Sequence, residues 1–103
     1  MSRPRILDEA ADELDAAAAY LERERPGHAA AFLDAYEKKL RQLVRLPKSG
    51  PLVKNAPDGH ELRAFSMRRF RYSIIIGVMD GVPTIVAIAH TSRGPGYWRD
   101  RLK

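Results

Sequence analysis

The apolar spacing of the chain changes once, near residue 60, and that change decides what the chain can fold into. From Ala10 to Leu43 apolar residues recur every three or four positions, whereas beyond Glu61 they gather in runs rich in β-branched and aromatic side chains. The first spacing lines one face of an α-helix and the second belongs to strands. Helices first and strands afterwards give an α+β fold, with a helical hairpin packed on a three- to four-stranded antiparallel sheet. With 103 residues the chain fits a single domain, 1–103, with one modest core.

The helical part starts after a short extended segment, Arg3 to Leu7. Asp8 is expected to cap the first helix and Glu9 to favour its positive end. Ala10, Leu14, Ala17 and Leu21 form its narrow apolar face, with Asp12, Glu13, Asp15 and Glu22 largely off it. The pattern breaks at Arg25-Pro26-Gly27, where Pro26 can open a second helix. Ala29, Phe32, Leu33, Tyr36, Leu40 and Leu43 make its stripe, which ends at Leu46-Pro47.

A loop of turn-forming residues from Lys48 to Gly59 leads to three expected strands: Glu61 to Ser66, Arg69 to Met79 and Pro83 to His90. Asp80-Gly81 between the last two predicts a type I′ hairpin turn. Period-two geometry puts Phe70, Tyr72, Ile74, Ile76 and Val78 on one face. Ile85 to Ala89 is apolar without alternation, which predicts a strand covered on both sides or at an interface.

The formal charge of +5 is unevenly placed. Residues 1–59 hold ten basic and ten acidic side chains, so the excess lies entirely in residues 60–103, where eight cations face three acids. Seven of those eight are Arg, whose planar fork suits carboxylate and phosphate. An acidic partner follows, unless the face serves only solubility. The chain has no cysteine and three scattered His, which argues against disulfides and any metal site. No phosphate-loop motif occurs, and Pro95 in Gly94-Pro95-Gly96 lacks the N–H a phosphate cradle wants, so no cofactor is expected. No apolar run approaches the roughly 20 residues of a membrane span, and Met1 to Leu7 lacks a signal-peptide core. A cytoplasmic protein is expected.

The C-terminal stretch gathers His90, Arg93, Tyr97, Trp98, Arg99 and Arg101 within twelve residues. Metal-free RNA cleavage needs an acid, a base and cations for the phosphorane charge. His90 can serve as acid or base, Arg63 and Arg93 can hold the phosphate, and Tyr97 and Trp98 can stack on bases. The plainer alternative packs Tyr97 and Trp98 onto the sheet and leaves His90 as a hydrogen-bonded strand end.

In the order of its elements and in its tail the chain resembles the RelE/ParE superfamily of type II toxin–antitoxin toxins, in particular the ParE-like plasmid stabilization branch. The resemblance rests on Asp8-Glu9-Ala10-Ala11-Asp12-Glu13-Leu14, on Ala31-Phe32-Leu33 and Pro47, and on Arg63. It rests further on Arg69-Phe70-Arg71-Tyr72-Ser73-Ile74-Ile75 and, above all, on Ala87-Ile88-Ala89-His90 with Arg93-Gly94-Pro95-Gly96-Tyr97-Trp98-Arg99. Arg71 stands where the family pattern has proline. The resemblance implies a toxin neutralised by a small antitoxin encoded beside it, in a hetero-oligomer.

It also implies two targets. A ParE-type toxin would dock on DNA gyrase and block replication, with Arg93, Tyr97, Trp98, Arg99 and Arg101 as the binding face. A RelE-type toxin would cut mRNA in the ribosome, with Arg63, His90, Arg93 and Tyr97 as its catalytic set. The gyrase reading is the closer in motif text. A third reading is a toxin that has lost activity and persists as an antitoxin-bound regulator. Ile75 and Ile85, near strand edges open to strand addition, are the expected antitoxin contacts.

Overall fold

The computed structural model describes residues 3–54, 56–94 and 96–102. Met1, Ser2, Asn55, Pro95 and Lys103, which enter the leader, loop, phosphate-cradle and charge arguments above, lie outside the described residues. In chain order come β1 (Arg5–Ile6), α1 (Asp8–Glu24), α2 (His28–Arg45), β2 (Arg63–Met67), β3 (Tyr72–Met79) and β4 (Val82–His90). Single 3-10 turns occupy Arg68–Phe70 and Arg99–Leu102. The sheet runs β1-β4-β3-β2. Its two hairpin-type pairings are antiparallel, as the sequence predicts, but β1 joins β4 in parallel, with Ile6 opposite Ile85. A parallel pair needs a long connection, and the helical hairpin provides it.

β1 runs directly into α1. Leu7 donates its N–H to the Ile85 carbonyl at 3.0 Å and stays extended, so Leu7 rather than Asp8 holds the cap position. Asp8 and Glu9 then lie in the first turn, where the helix dipole favours acids. The turn into α2 is closed from the preceding helix. The Glu22 carboxylate accepts the N–H groups of Gly27 and Ala29, both at 3.1 Å. Gly27, at φ 87°, takes the left-handed conformation, so α2 opens at His28 instead of Pro26.

Two apolar clusters sandwich the sheet. On one side Ala10, Ala17 and Leu21 of α1 and Phe32, Tyr36, Leu40 and Leu43 of α2 meet Phe65, Ile74, Ile85 and Ile88. Leu33, expected in that stripe, is exposed, as is Val78 at the tip of the β3–β4 hairpin. On the other side Trp98 and Leu102 cover Leu62, Ile75, Val86 and Ala87. The C-terminal segment thus explains the unbroken apolar run in β4, which is covered on both faces.

Two irregularities shape the site. β3 begins at Tyr72 instead of Arg69, because Arg68–Phe70 turn and Arg71 follows at φ 63°, outside any strand geometry. Along β4, Ile75 faces Ala87 while Ile76 faces Ile85, so Val86 is the extra residue of a bulge. Asp80 and Gly81 both have positive φ, 53° and 76°, as the type I′ turn requires.

Candidate functional site

β1 covers the outer edge of β4 only as far as Ile85. Beyond it, backbone groups of β4 need other partners. The Ile88 N–H donates to Glu13 Oε1 at 3.1 Å, and the Val86 carbonyl, displaced by the bulge, accepts Arg101 Nη1 at 3.0 Å. Glu13 and Arg101 are themselves joined by a two-pronged pair, with Nη1 2.8 Å from Oε1 and Nη2 3.1 Å from Oε2. Tyr97 donates its hydroxyl to Glu13 Oε2 at 2.6 Å. Arg93, half-exposed, stands 3.6 Å from the same oxygen, with its guanidinium carbon 3.8 Å from the centre of the Tyr97 ring. One carboxylate on α1 therefore joins the edge of β4 to the C-terminal segment.

The electrostatics follow from that crowding. Burial alone would raise the Glu13 carboxyl, but hydrogen bonds from Arg101, Tyr97 and the Ile88 amide overcome it and hold the group below the usual carboxylate range. The Tyr97 phenol moves the opposite way, driven up by burial and by its hydrogen bond to Glu13. A phenol so placed stays protonated. It is a poor candidate for a base at neutral pH.

The expected catalytic set is split. His90, Arg93 and Tyr97 line one cleft of about 340 Å³ at the end of β4. His90 and Arg93 also border a shallow groove beside Glu13 on the helical side. The His90 ring meets Tyr72 edge-on, with centroids 4.9 Å apart, and Nδ1 accepts the Ser92 N–H at 3.0 Å, leaving Nε2 for any ligand. Arg63 is elsewhere. It pairs with Ile76 on β3, whereas His90 pairs with Tyr72, about 13 Å away along the strand. Its Nη1 donates to the carbonyls of Gly50 and Lys48, at 2.8 and 3.2 Å, which fixes the loop before β2.

The expected binding face divides by exposure. Arg93 and Arg99 are at the surface, Tyr97 and Arg101 are partly covered, and Trp98 is buried at 3% exposure. Ile75 and Ile85, the expected antitoxin contacts, are also interior, Ile85 lying between β1 and β3. The apolar spacing of α1 puts Glu13 off the packed face, yet the structure turns it onto the edge of β4. A signal was available: Glu13 follows Ala10 by three and precedes Ala17 by four, so it flanks the small-residue face where only a paired acid can sit.

Among the described residues no group of three or more His, Asp or Glu could hold a metal ion, and no helix is long and apolar enough to cross a membrane. Two helices over a mostly antiparallel sheet, with a cationic face at the end of its longest strand, are the architecture of a small α+β toxin. The family model described as ParE toxin of type II toxin-antitoxin system, parDE, matches residues 5–95, and the chain belongs to that family. It is accordingly a toxin-antitoxin toxin with an antitoxin partner. Glu13 and Arg93 fall within the match, Tyr97 and Arg101 beyond it. No curated protein matches the chain.

Proposed function

We propose that this toxin acts by binding DNA gyrase through the face carrying Arg93, Tyr97 and Arg99, with Trp98 and Arg101 supporting that face from beneath, and so stops replication. The observation that carries this reading is the commitment of Tyr97 and Arg101 to Glu13, with Arg63 bonded to loop carbonyls at the other end of the sheet. A surface built of fixed cations over a packed tryptophan suits protein docking better than acid–base chemistry.

Inducible expression without the antitoxin, followed by pulse labelling of DNA and of protein, tests the reading. DNA synthesis should stop first, purified toxin should inhibit gyrase supercoiling, and His90→Ala should change little. Arrest of protein synthesis first, with cleaved mRNA, would favour the endoribonuclease reading, which the shared cleft of His90 and Arg93 supports. Growth without arrest would mark a toxin that has lost activity.

For the antitoxin we propose the open edge of β2, since Ile75 and Ile85 themselves are buried. The segment bridging to β2 through Leu52 stops alongside Ala64, and among the described residues nothing pairs with Phe65–Met67 on that side. A groove of about 570 Å³ beside this edge has Phe65, Met67 and Phe70 at its base and Lys39, Arg68 and Arg69 at its rim, where Lys38 is paired with Asp34 at 3.1 Å. An extended segment with acidic flanks fits it by strand addition.

A further inference from the structure

We propose that Glu13 is a positioning residue for Arg93, holding that cation at the mouth of the two clefts through the Tyr97 ring. The proposal deepens the gyrase reading and rests on it for its functional consequence. Nothing in the Arg93 backbone fixes its side chain, since Arg93 follows the end of β4 and is itself half-exposed. A long, exposed arginine left alone samples many rotamers, and ordering it at binding would cost affinity. Here the guanidinium has two neighbours that restrain it: the Tyr97 ring at 3.8 Å and Glu13 Oε2 at 3.6 Å.

Glu13 is one of these restraints and helps to set the other, since the Tyr97 ring, packed against the second apolar cluster, is tied to it by its 2.6 Å hydroxyl bond. The carboxylate is in turn fixed by Arg101, by the Ile88 amide and by helix α1. It is 15% exposed, so it is shielded from competing water and does not itself reach a partner. Arg101, pinned to Glu13 and to the Val86 carbonyl, cannot take the place of Arg93. The division of labour is therefore clear: Arg93 contacts the target, and Glu13 acts through Tyr97 to decide where Arg93 stands. A preorganised cation at the junction of two clefts suits a single acidic side chain of a protein surface.

The test uses the full chain labelled with 15N-arginine. In the wild type the Arg93 side-chain N–H signal should be displaced by the ring current of Tyr97. In Glu13→Gln it should move to the position of an exposed arginine, and gyrase inhibition should fall about tenfold, comparable to Arg93→Ala. The double variant should be no worse than either single one, because the two residues act as a unit. Glu13→Asp, which keeps the charge but shortens the reach, should recover part of both readouts. If Glu13→Gln does not fold, Tyr97→Phe removes the hydroxyl bond while keeping the ring, and should loosen Arg93 to a smaller extent. An Arg93 signal unchanged in the folded variants would overturn the proposal. Absence of gyrase inhibition by the wild type would instead overturn the gyrase reading, with the Arg93 signal still deciding the role of Glu13.

Discussion

The hydroxyl of Tyr97 donates to Glu13 across 84 positions of sequence, and at 2.6 Å this bond is shorter than the two by which Arg101 reaches the same carboxylate, at 2.8 and 3.1 Å. The bond has a partner in the Arg101 fork, so the carboxylate is satisfied on both oxygens. Removing one cation from such a cluster leaves a poorly hydrated charge behind. Arg101→Met should therefore cost about 2 kcal/mol of folding stability, read as a lower urea midpoint at an unchanged slope.

Acid should loosen the same junction. Glu13 in the folded chain lies below its ordinary value, so its contribution is complete above roughly pH 4.3 and is lost as the pH falls through the folded value. Glu37, lowered mainly by its hydrogen bond from Arg3, has the same sign, but the pair is exposed and adds little. The urea midpoint should be flat from pH 7 to about 5 and drop below about 4. Glu13→Gln should flatten that drop; an unchanged acid limb in the variant would assign it to other carboxylates.

Arg71 offers a test of backbone geometry. At φ 63° it occupies a conformation that proline, fixed near −65°, cannot adopt, and its N–H donates to the Arg68 carbonyl at 3.1 Å. Arg71→Pro, although it restores the residue of the family pattern, should destabilise the chain by about 3 kcal/mol or more and disturb the start of β3. Thermal unfolding decides it, and a neutral result would mean that the β2–β3 turn can adopt a second geometry.

Gly50 is confined by its neighbours. A methyl group there would meet the Phe65 ring at 2.8 Å and the Ala64 carbonyl at 2.9 Å. Phe65 is buried and the carbonyl belongs to β2, so neither yields easily. Gly50→Ala should cost about 1–3 kcal/mol. Gly50 also lines the groove beside β2, so if that groove is the antitoxin site proposed above, Gly50→Ala should weaken antitoxin binding too.

Trp98, the only tryptophan, reports on the second cluster. Trp98→Ala should cost about 3–5 kcal/mol and abolish toxicity through loss of the fold. Trp98→Phe, which keeps most of the apolar volume, should retain both. Loss of toxicity in a stably folded Trp98→Phe would instead make the indole a target contact.

Most of the fold was legible because its signals are local. The α1 and α2 stripes, the Asp80-Gly81 turn and the strand runs each depend on residues within a few positions of one another. What the sequence did not disclose depends on distant partners. The parallel pairing of Ile6 with Ile85 leaves no mark in two residues of strand, and the bulge at Val86 arises from register between strands. The early turn at Arg68–Phe70 is hidden because a strand pattern continues through it. The site was legible in composition, as a cluster of arginines and aromatics, but not in its assignment. Which arginine faces outward follows from Glu13, whose role appears only once α1 is set beside β4.

The edge of β4 has one further consequence, for the order in which the molecule is made. Its strand is completed from both ends of the chain: Leu7 supplies the bond to Ile85, and Arg101 the bond to Val86. The helices are synthesised first, yet Glu13 has none of these partners until residues 88 to 101 have followed. A chain interrupted between Arg93 and Arg101 therefore carries Arg93 without the arrangement that holds it. The cell meets an assembled toxin surface only when translation of that segment is complete.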